Sequence, residues 1–211
     1  MDVDTITPVA QDYLKAIWTA TEWGGAPITT GALASRFGTS AANVTDTVRR
    51  LAAQGLVEYT PYRPVRLTKD GAAYAVAMVR RHRLIETFLV TALGYGWDEV
   101  HTEAERLEHA VSDTLVGRID AYLDHPTSDP HGDPIPTAAG RIAMPDGAQL
   151  LSEVAAAGRF RVLRVSDADP EVLAEAEAHG IVPGAEFEHD PDRASFSDAL
   201  GRAVWLVPLP G

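Results

Sequence analysis

Apolar positions near the start of the chain recur at helical spacing. Between about Pro8 and Trp23, the residues Tyr13, Leu14, Ile17 and Trp18 fall on one face, and Gly24-Gly25 ends the run. Thr29-Thr-Gly-Ala-Leu-Ala-Ser-Arg-Phe37 predicts a short helix and Gly38-Thr-Ser a turn. Ala41 to Gln54 predicts a second helix with Val44, Val48 and Leu51 inward, stopped by Gly55. The period then changes. Leu56–Thr60 and Val65–Thr68 alternate as two short strands around Pro61-Tyr-Arg-Pro64, and a helix follows from about Lys69. Two short helices joined by a tight turn and followed by a hairpin make a winged helix-turn-helix.

From Val76 the pattern is a long helix through Leu93, a break at Gly94-Tyr-Gly96, and a second helix from about Asp98 extending through Leu115, Ile119 and Leu123. Their apolar faces are candidates for pairing two subunits. The segment from Pro126 to Pro136 holds too many prolines to continue a helix and reads as a linker. After a short entry helix beyond Pro145, strands are predicted at Phe160–Val165, Ala185–Glu188 and Ala203–Val207, with a helix at Pro170–His179. The expected class is therefore mainly α with small β elements. A winged helix-turn-helix DNA-binding domain occupies 1–75, a helical dimerisation and metal-binding domain with its Pro-rich linker 76–144, and a small β-barrel 145–211.

Composition narrows the chemistry. With 45% hydrophobic and 23% charged residues in 211, the chain can bury a substantial core. It has no cysteine, so a bound metal must be held by oxygen and imidazole. The N-terminal stretch lacks the basic and apolar regions of a secretion signal, and no run approaches the ~18 apolar residues of a membrane span, which predicts a cytoplasmic protein without a membrane partner. The net charge of −12 conceals an asymmetry: residues 29–81 carry eight basic and three acidic side chains, net +5, and the remainder carries −17. A basic module on an acidic protein fits a face for docking an acidic polymer. Ser40, Asn43, Thr45 and Asp46, at the start of the second short helix, are candidates for groove contacts. Arg49, Arg50, Arg63 and Arg66 are candidates for phosphates. Each could also be an ordinary solvated side chain.

One stretch concentrates metal-binding chemistry. His101, Glu105, Glu108 and His109 stand at i, i+4, i+7 and i+8, which on one helix places them within an arc of roughly 100°. His82 and Glu86 repeat the i, i+4 spacing upstream. Single Glu/His pairs of this kind are commonly solvated. Here Leu84, Ile85, Phe88, Leu89, Leu107 and Val111 are interleaved with them, so the stripe borders a core where uncompensated carboxylates would be costly. A hard or borderline divalent ion is the implied partner.

Taken together, Asp12-Tyr-Leu in the first helix, the winged helix, Arg81-His-Arg-Leu-Ile-Glu86, the His101–His109 stripe with Ser112-Asp113, and the Pro-Thr-Ser-Asp-Pro-His-Gly-Asp-Pro-Ile-Pro segment resemble the diphtheria-toxin-repressor family of metal-dependent transcriptional regulators, especially its manganese-responsive branch. The resemblance implies that the C-terminal barrel is SH3-like. It assigns Asp12, Glu105, Glu108 and His109 to a primary, activating metal site, and His82, Glu86 and His101 to an ancillary one, with Asp169 or Glu171 completing the latter. Iron-responsive relatives carry sulfur side chains where this chain has Asp12 and Glu105. The two carboxylates favour Mn(II) over Fe(II), with Co(II) and Zn(II) also able to bind. Some manganese relatives place a second acid one turn after the first-helix aspartate; Lys15 stands there instead, so a two-metal site using that acid is not expected. The resemblance further implies a homodimer bound to double-stranded operator DNA, with metal as corepressor. An Fe(II)-responsive regulator of the same family is the nearest alternative. A metalloenzyme and a winged-helix repressor of an organic ligand are others, but neither accounts for the first-helix aspartate, the stripe and the C-terminal domain together.

Overall fold

The structure, a computed structural model, describes residues 3–191 and 196–210. The chain divides into two compact units: one holds the residues up to Arg81 together with Pro136–Arg141, and the other holds His82–Ile135 and the chain from Ile142 onward.

The first unit opens with α1 (Pro8–Glu22), where Pro8 is preset for a first helical turn and the Thr7 hydroxyl accepts from Ala10 N at 3.3 Å. α2 (Thr30–Arg36) and α3 (Ala41–Ala53) begin in the same way, with the Thr29 and Ser40 hydroxyls accepting from Ala32 N and Asn43 N. The chain reverses between them at Gly38, whose φ of +57° suits a residue without Cβ. β1 (Val57–Glu58) and β2 (Arg66–Leu67) form the antiparallel wing, pairing Val57 with Leu67 and Glu58 with Arg66. Tyr13, Leu14 and Ile17, Leu33, Val44, Val48, Leu51, Val57 and Val65 fill one core. Removing each such side chain from water contributes ~1.5–3 kcal/mol, and this burial, more than propensity, holds helices as short as α2 in place.

The predicted helices from Lys69 and Val76 are one element, α4 (Lys69–Leu93), with the unit boundary falling inside it. In the second unit, Leu84 packs with Val116, Ile119 and Ile135, while Ile85 and Leu89 pack with Val100 and Ala104. The helix predicted from Asp98 through Leu123 is broken into α5 (Val100–Leu107) and α6 (Asp113–Tyr122). The cause is local: Ser112 is extended and its hydroxyl accepts from Leu115 N at 3.2 Å, starting a new helix.

The Pro-rich segment is also not a solvated linker. Asp129, His131 and 133–136 are buried, and Asp129 N donates to Asp133 O and Ile135 N to Thr127 O, so a tight loop satisfies its own backbone. Beyond it, β3 (Gln149–Leu150), β4 (Gly158–Val165), β5 (Glu186–His189) and β6 (Val204–Pro208) form an antiparallel sheet in the order β3-β6-β4-β5, accompanied by α7 (Pro170–Ala178) and α8 (Asp198–Gly201). Where a short entry helix was expected, β3 is followed by a single 3-10 turn at Leu151–Glu153, and among the described residues the sheet is open, with β3 and β5 at its edges. Among the described residues, no helix is long and apolar enough to cross a membrane.

Candidate metal centre

From Arg81 to Glu86, α4 is buried at every position. A helical turn with no solvent-facing side must supply a partner for each ionisable group it carries, because an uncompensated buried charge is strongly destabilising. Arg83 is answered by Asp129 at 3.5 Å, Asp133 at 3.3 Å and the Pro134 carbonyl at 2.8 Å. His82 and Glu86, one turn apart, approach to 2.9 Å. α5 brings His101 Nδ1 to 3.1 Å from the same Glu86 oxygen and 3.2 Å from His82 Nε2. Asp167, just after β4, lies 2.8 Å from His101 Nδ1. His82, Glu86, His101 and Asp167 thus offer donor atoms within 4.8 Å of one another.

Within this group the imidazoles and carboxylates stabilise one another's charged forms. Burial works against an ionised Glu86, but the charge of His82 and hydrogen bonds from His101 and His82 outweigh it and hold the carboxyl down to about 2. Burial likewise disfavours a charged His101, yet Asp167, Glu105 and Glu86 push its imidazole up to about 12. Asp167, although desolvated, is held well below the usual carboxylate range by His101. A divalent ion entering here must displace the His101 proton, so its binding weakens as pH falls.

A second donor group shares Glu86. Its carboxylate, Asp129 and His131 are all buried and again offer atoms within 4.8 Å of one another. His131 Nε2 lies 2.6 Å from the Trp97 carbonyl oxygen, which can only accept. Nε2 therefore carries a proton, and in the neutral imidazole Nδ1 presents a lone pair. That Nδ1 and Glu86 Oε2 are both buried without a hydrogen-bond partner among the described residues. Two orphaned acceptors in one donor group suit a cation, and a histidine oriented through its other nitrogen by a carbonyl is how metal-ligating imidazoles are commonly held. Asp129 is fixed by the backbone, since its Oδ1 accepts from His131 N and Asp133 N at 2.9 Å each.

The remaining predicted ligands are placed as follows. Glu108 is the C-cap of α5, fully buried, with Oε2 at 2.5 Å from His82 Nδ1 and Oε1 at 3.7 Å from His109 Nε2. It therefore connects a residue assigned to the primary site with one assigned to the ancillary site. Glu105 is half exposed and faces His101 Nε2 at 3.5 Å. Because α5 ends at Leu107, His109 follows in a turn and the stripe does not lie on one helix. Asp12 is on α1, partly buried, in the first unit. Asp169 is not in either donor group: its side chain caps α7 by accepting from Glu171 N at 2.9 Å, and Glu171 is exposed in that first turn. The carboxylate supplied from beyond β4 is Asp167, two residues earlier. Asp167, Asp129 and His131 went unrecognised in the sequence, although Asp-Pro-His-Gly-Asp alternates ligand types within the proline-rich segment.

On the first unit, Ser40, Asn43, Asp46, Arg49, Arg50, Arg63 and Arg66 are exposed and Thr45 partly so. Several are engaged locally: Thr45 donates to Ala41 O, Asn43 to Thr39 Oγ1, Arg50 to Thr47 Oγ1, and Arg49 lies 3.8 Å from Asp46.

A winged helix-turn-helix in one unit and a cluster of carboxylate and imidazole donors in the other suit a metal-dependent, DNA-binding transcriptional repressor, and comparisons with known proteins agree. Residues 5–65 match the family described as "Iron dependent repressor, N-terminal DNA binding domain", and residues 68–137 match "Iron dependent repressor, metal binding and dimerisation domain". The chain is 33% identical to the iron-dependent repressor IdeR of Mycobacterium leprae, covering 98% of this chain and 91% of that protein. It is 39% identical to the diphtheria toxin repressor of Corynebacterium efficiens, covering 94% and 95%. Among solved structures, a manganese-dependent transcriptional repressor in complex with manganese superposes with a TM-score of 0.83 at 44% identity, covering 95% of this chain and 100% of that one. The chain belongs to the iron-dependent repressor, or diphtheria toxin repressor, family; it is a regulator and not an enzyme.

Proposed function

We propose that this chain is a homodimeric repressor that responds to Mn(II) and then binds double-stranded operator DNA. The observation that carries the metal reading is the pair of orphaned acceptors, Glu86 Oε2 and His131 Nδ1, in a buried donor group. Every candidate donor is a carboxylate oxygen or an imidazole nitrogen, in a chain with no thiolate to offer. That donor set admits Fe(II), Co(II) and Zn(II), but it withholds the soft ligands that would disfavour Mn(II).

The ion supplies positive charge that lets several buried carboxylates converge. Within the second unit it would be held by His82, Glu86, His101 and Asp167, or by Glu86, Asp129 and His131. Asp12, Glu105, Glu108 and His109 would form the activating set, and ion occupancy there would select the operator-competent state. Glu108, bonded to His82, ties the two sets together. Converting a 1:99 population of operator-competent dimers into 99:1 requires ~10⁴-fold tighter metal binding to that state, about 5.5 kcal/mol, which several ligands acting together can supply.

The test is anaerobic operator binding by chelated protein titrated with Mn(II), Fe(II), Co(II) and Zn(II) at buffered free concentrations. Mn(II) activating at concentrations where Fe(II) does not supports the assignment. Activation by Fe(II) at lower free concentration than Mn(II) transfers it to the iron-responsive reading, which the similarity to iron-dependent repressors favours. DNA binding indifferent to chelation removes both.

A second expectation concerns the wing. Arg63→Ala should weaken operator and nonspecific DNA to similar degrees and make the dependence of log affinity on log salt shallower by about one phosphate contact. An unchanged slope would place Arg63 away from the DNA backbone.

A further inference from the structure

The wing turn contains a tyrosine where the backbone asks for glycine. Arg63 N donates to Thr60 O at 3.1 Å, which makes Thr60-Pro61-Tyr62-Arg63 a hydrogen-bonded β-turn. Pro61 fits its second position. Tyr62, at the third, has φ of +64°, the left-handed conformation that a type II turn imposes there and that glycine or asparagine normally fills. A bulky side chain at positive φ is disfavoured, and Tyr62 receives nothing from the fold in return: its relative exposure is 104%, the full value for a free side chain. The hairpin beneath it is well anchored, with Val65 buried and its N–H donating to Ile28 O at 3.0 Å. The turn therefore presents the phenol ring outward on a fixed base.

We infer that Tyr62 is a DNA-contacting residue: it places its ring against the sugar-phosphate wall of the minor groove flanking each half-site, and its hydroxyl donates to a phosphate. This rests on the operator-binding reading above. Three features point to DNA as the occupant. The tip adjoins the basic side chains of Arg63 and Arg66, which are exposed on the same hairpin. An aromatic ring with a polar end suits a surface that alternates apolar sugar with anionic oxygen. The prolines on either side, Pro61 and Pro64, restrict the tip, so little conformational freedom is lost on binding.

Strain and function then make opposite demands on one residue, and that opposition is measurable. Tyr62→Gly removes the ring and suits the turn, so it should leave the melting temperature unchanged or raise it while weakening operator binding roughly tenfold. Because tyrosine is uncharged, the salt slope should stay at its wild-type value, in contrast to Arg63→Ala. Tyr62→Phe isolates the hydroxyl and should lose roughly threefold. The measurements are thermal melts and fluorescence anisotropy on operator DNA across salt, with metal-loaded full-length protein. The wild type serves as control: its failure to bind DNA with any metal would refute the operator-binding reading itself. With the wild type binding, wild-type affinity in both variants, or a melting temperature lowered by several degrees in Tyr62→Gly, would overturn the inference.

Discussion

Glu86→Ala is expected to raise the free metal concentration needed for operator binding at least about a hundredfold, the largest effect of any single ligand in the second unit. The reason is its position. One oxygen, Oε1, faces both His82 and His101, the other has no hydrogen-bond partner among the described residues, and the residue belongs to both donor groups. Removing it also leaves the His82–His101 pair short of a carboxylate, and breaking a buried ion pair from one side typically costs ~3–5 kcal/mol. Glu86→Gln separates the two consequences, since it keeps the volume and some hydrogen bonding while losing the charge. Metal-dependent anisotropy and chelated thermal melts on both variants decide the matter. If Glu86→Gln melts as the wild type and still responds to Mn(II) at wild-type concentrations, Glu86 is not a ligand.

The second large effect is expected from Gly132→Ala. Gly132 sits at φ +88° directly after His131, and a Cβ there would lie 1.9 Å from the Leu163 carbonyl oxygen and 3.0 Å from Arg164 Cα on β4. Neither neighbour is a flexible side-chain tip. The loop must leave the strand or the strand must shift, at a cost of roughly 3 kcal/mol or more once the positive φ is included. His131 O then loses the 2.9 Å bond it accepts from Val165 N. Asp129 and His131 are displaced together, so the variant should show both a lowered melting temperature and a weakened metal response. Calorimetry with and without Mn(II) distinguishes them. A melting temperature within about a degree of wild type would mean that the loop accommodates the methyl group, and the packing argument would fail.

The short-range grammar of the chain was legible. The short helices predicted at Thr29–Phe37 and Ala41–Gln54 form as α2 and α3, the alternation at Val57 and Val65 produces the wing, and the apolar runs at Phe160–Val165 and Ala203–Val207 fall on β4 and β6. His82 and Glu86 meet because i, i+4 spacing is a local property, and the apolar packing of Ile85 and Leu89 on Val100 and Ala104 brings His101 to them. What stayed hidden depends on partners distant in sequence. Prolines from Pro126 to Pro136 exclude a helix but say nothing of burial, which here arises because the loop closes on itself and lies along β4. The resemblance pointed to Asp169 or Glu171 as the carboxylate of the C-terminal domain, but Asp169 caps α7; Asp167 faces His101 only because β4 ends where it does. The stripe from His101 to His109 was read with one unbroken helical period, and Ser112 restarted the count.

The carbonyl of Trp97 carries a different kind of consequence. It fixes the protonated nitrogen of His131, yet it belongs to the main chain and no side-chain substitution removes it. Trp97→Ala would remove the indole that stacks on the His131 ring at 5.8 Å, but it would leave the carbonyl, and with it this hydrogen bond, in place. Only a change that moves the backbone, such as a proline insertion or a deletion in the Gly94–Asp98 turn, would expose the dependence.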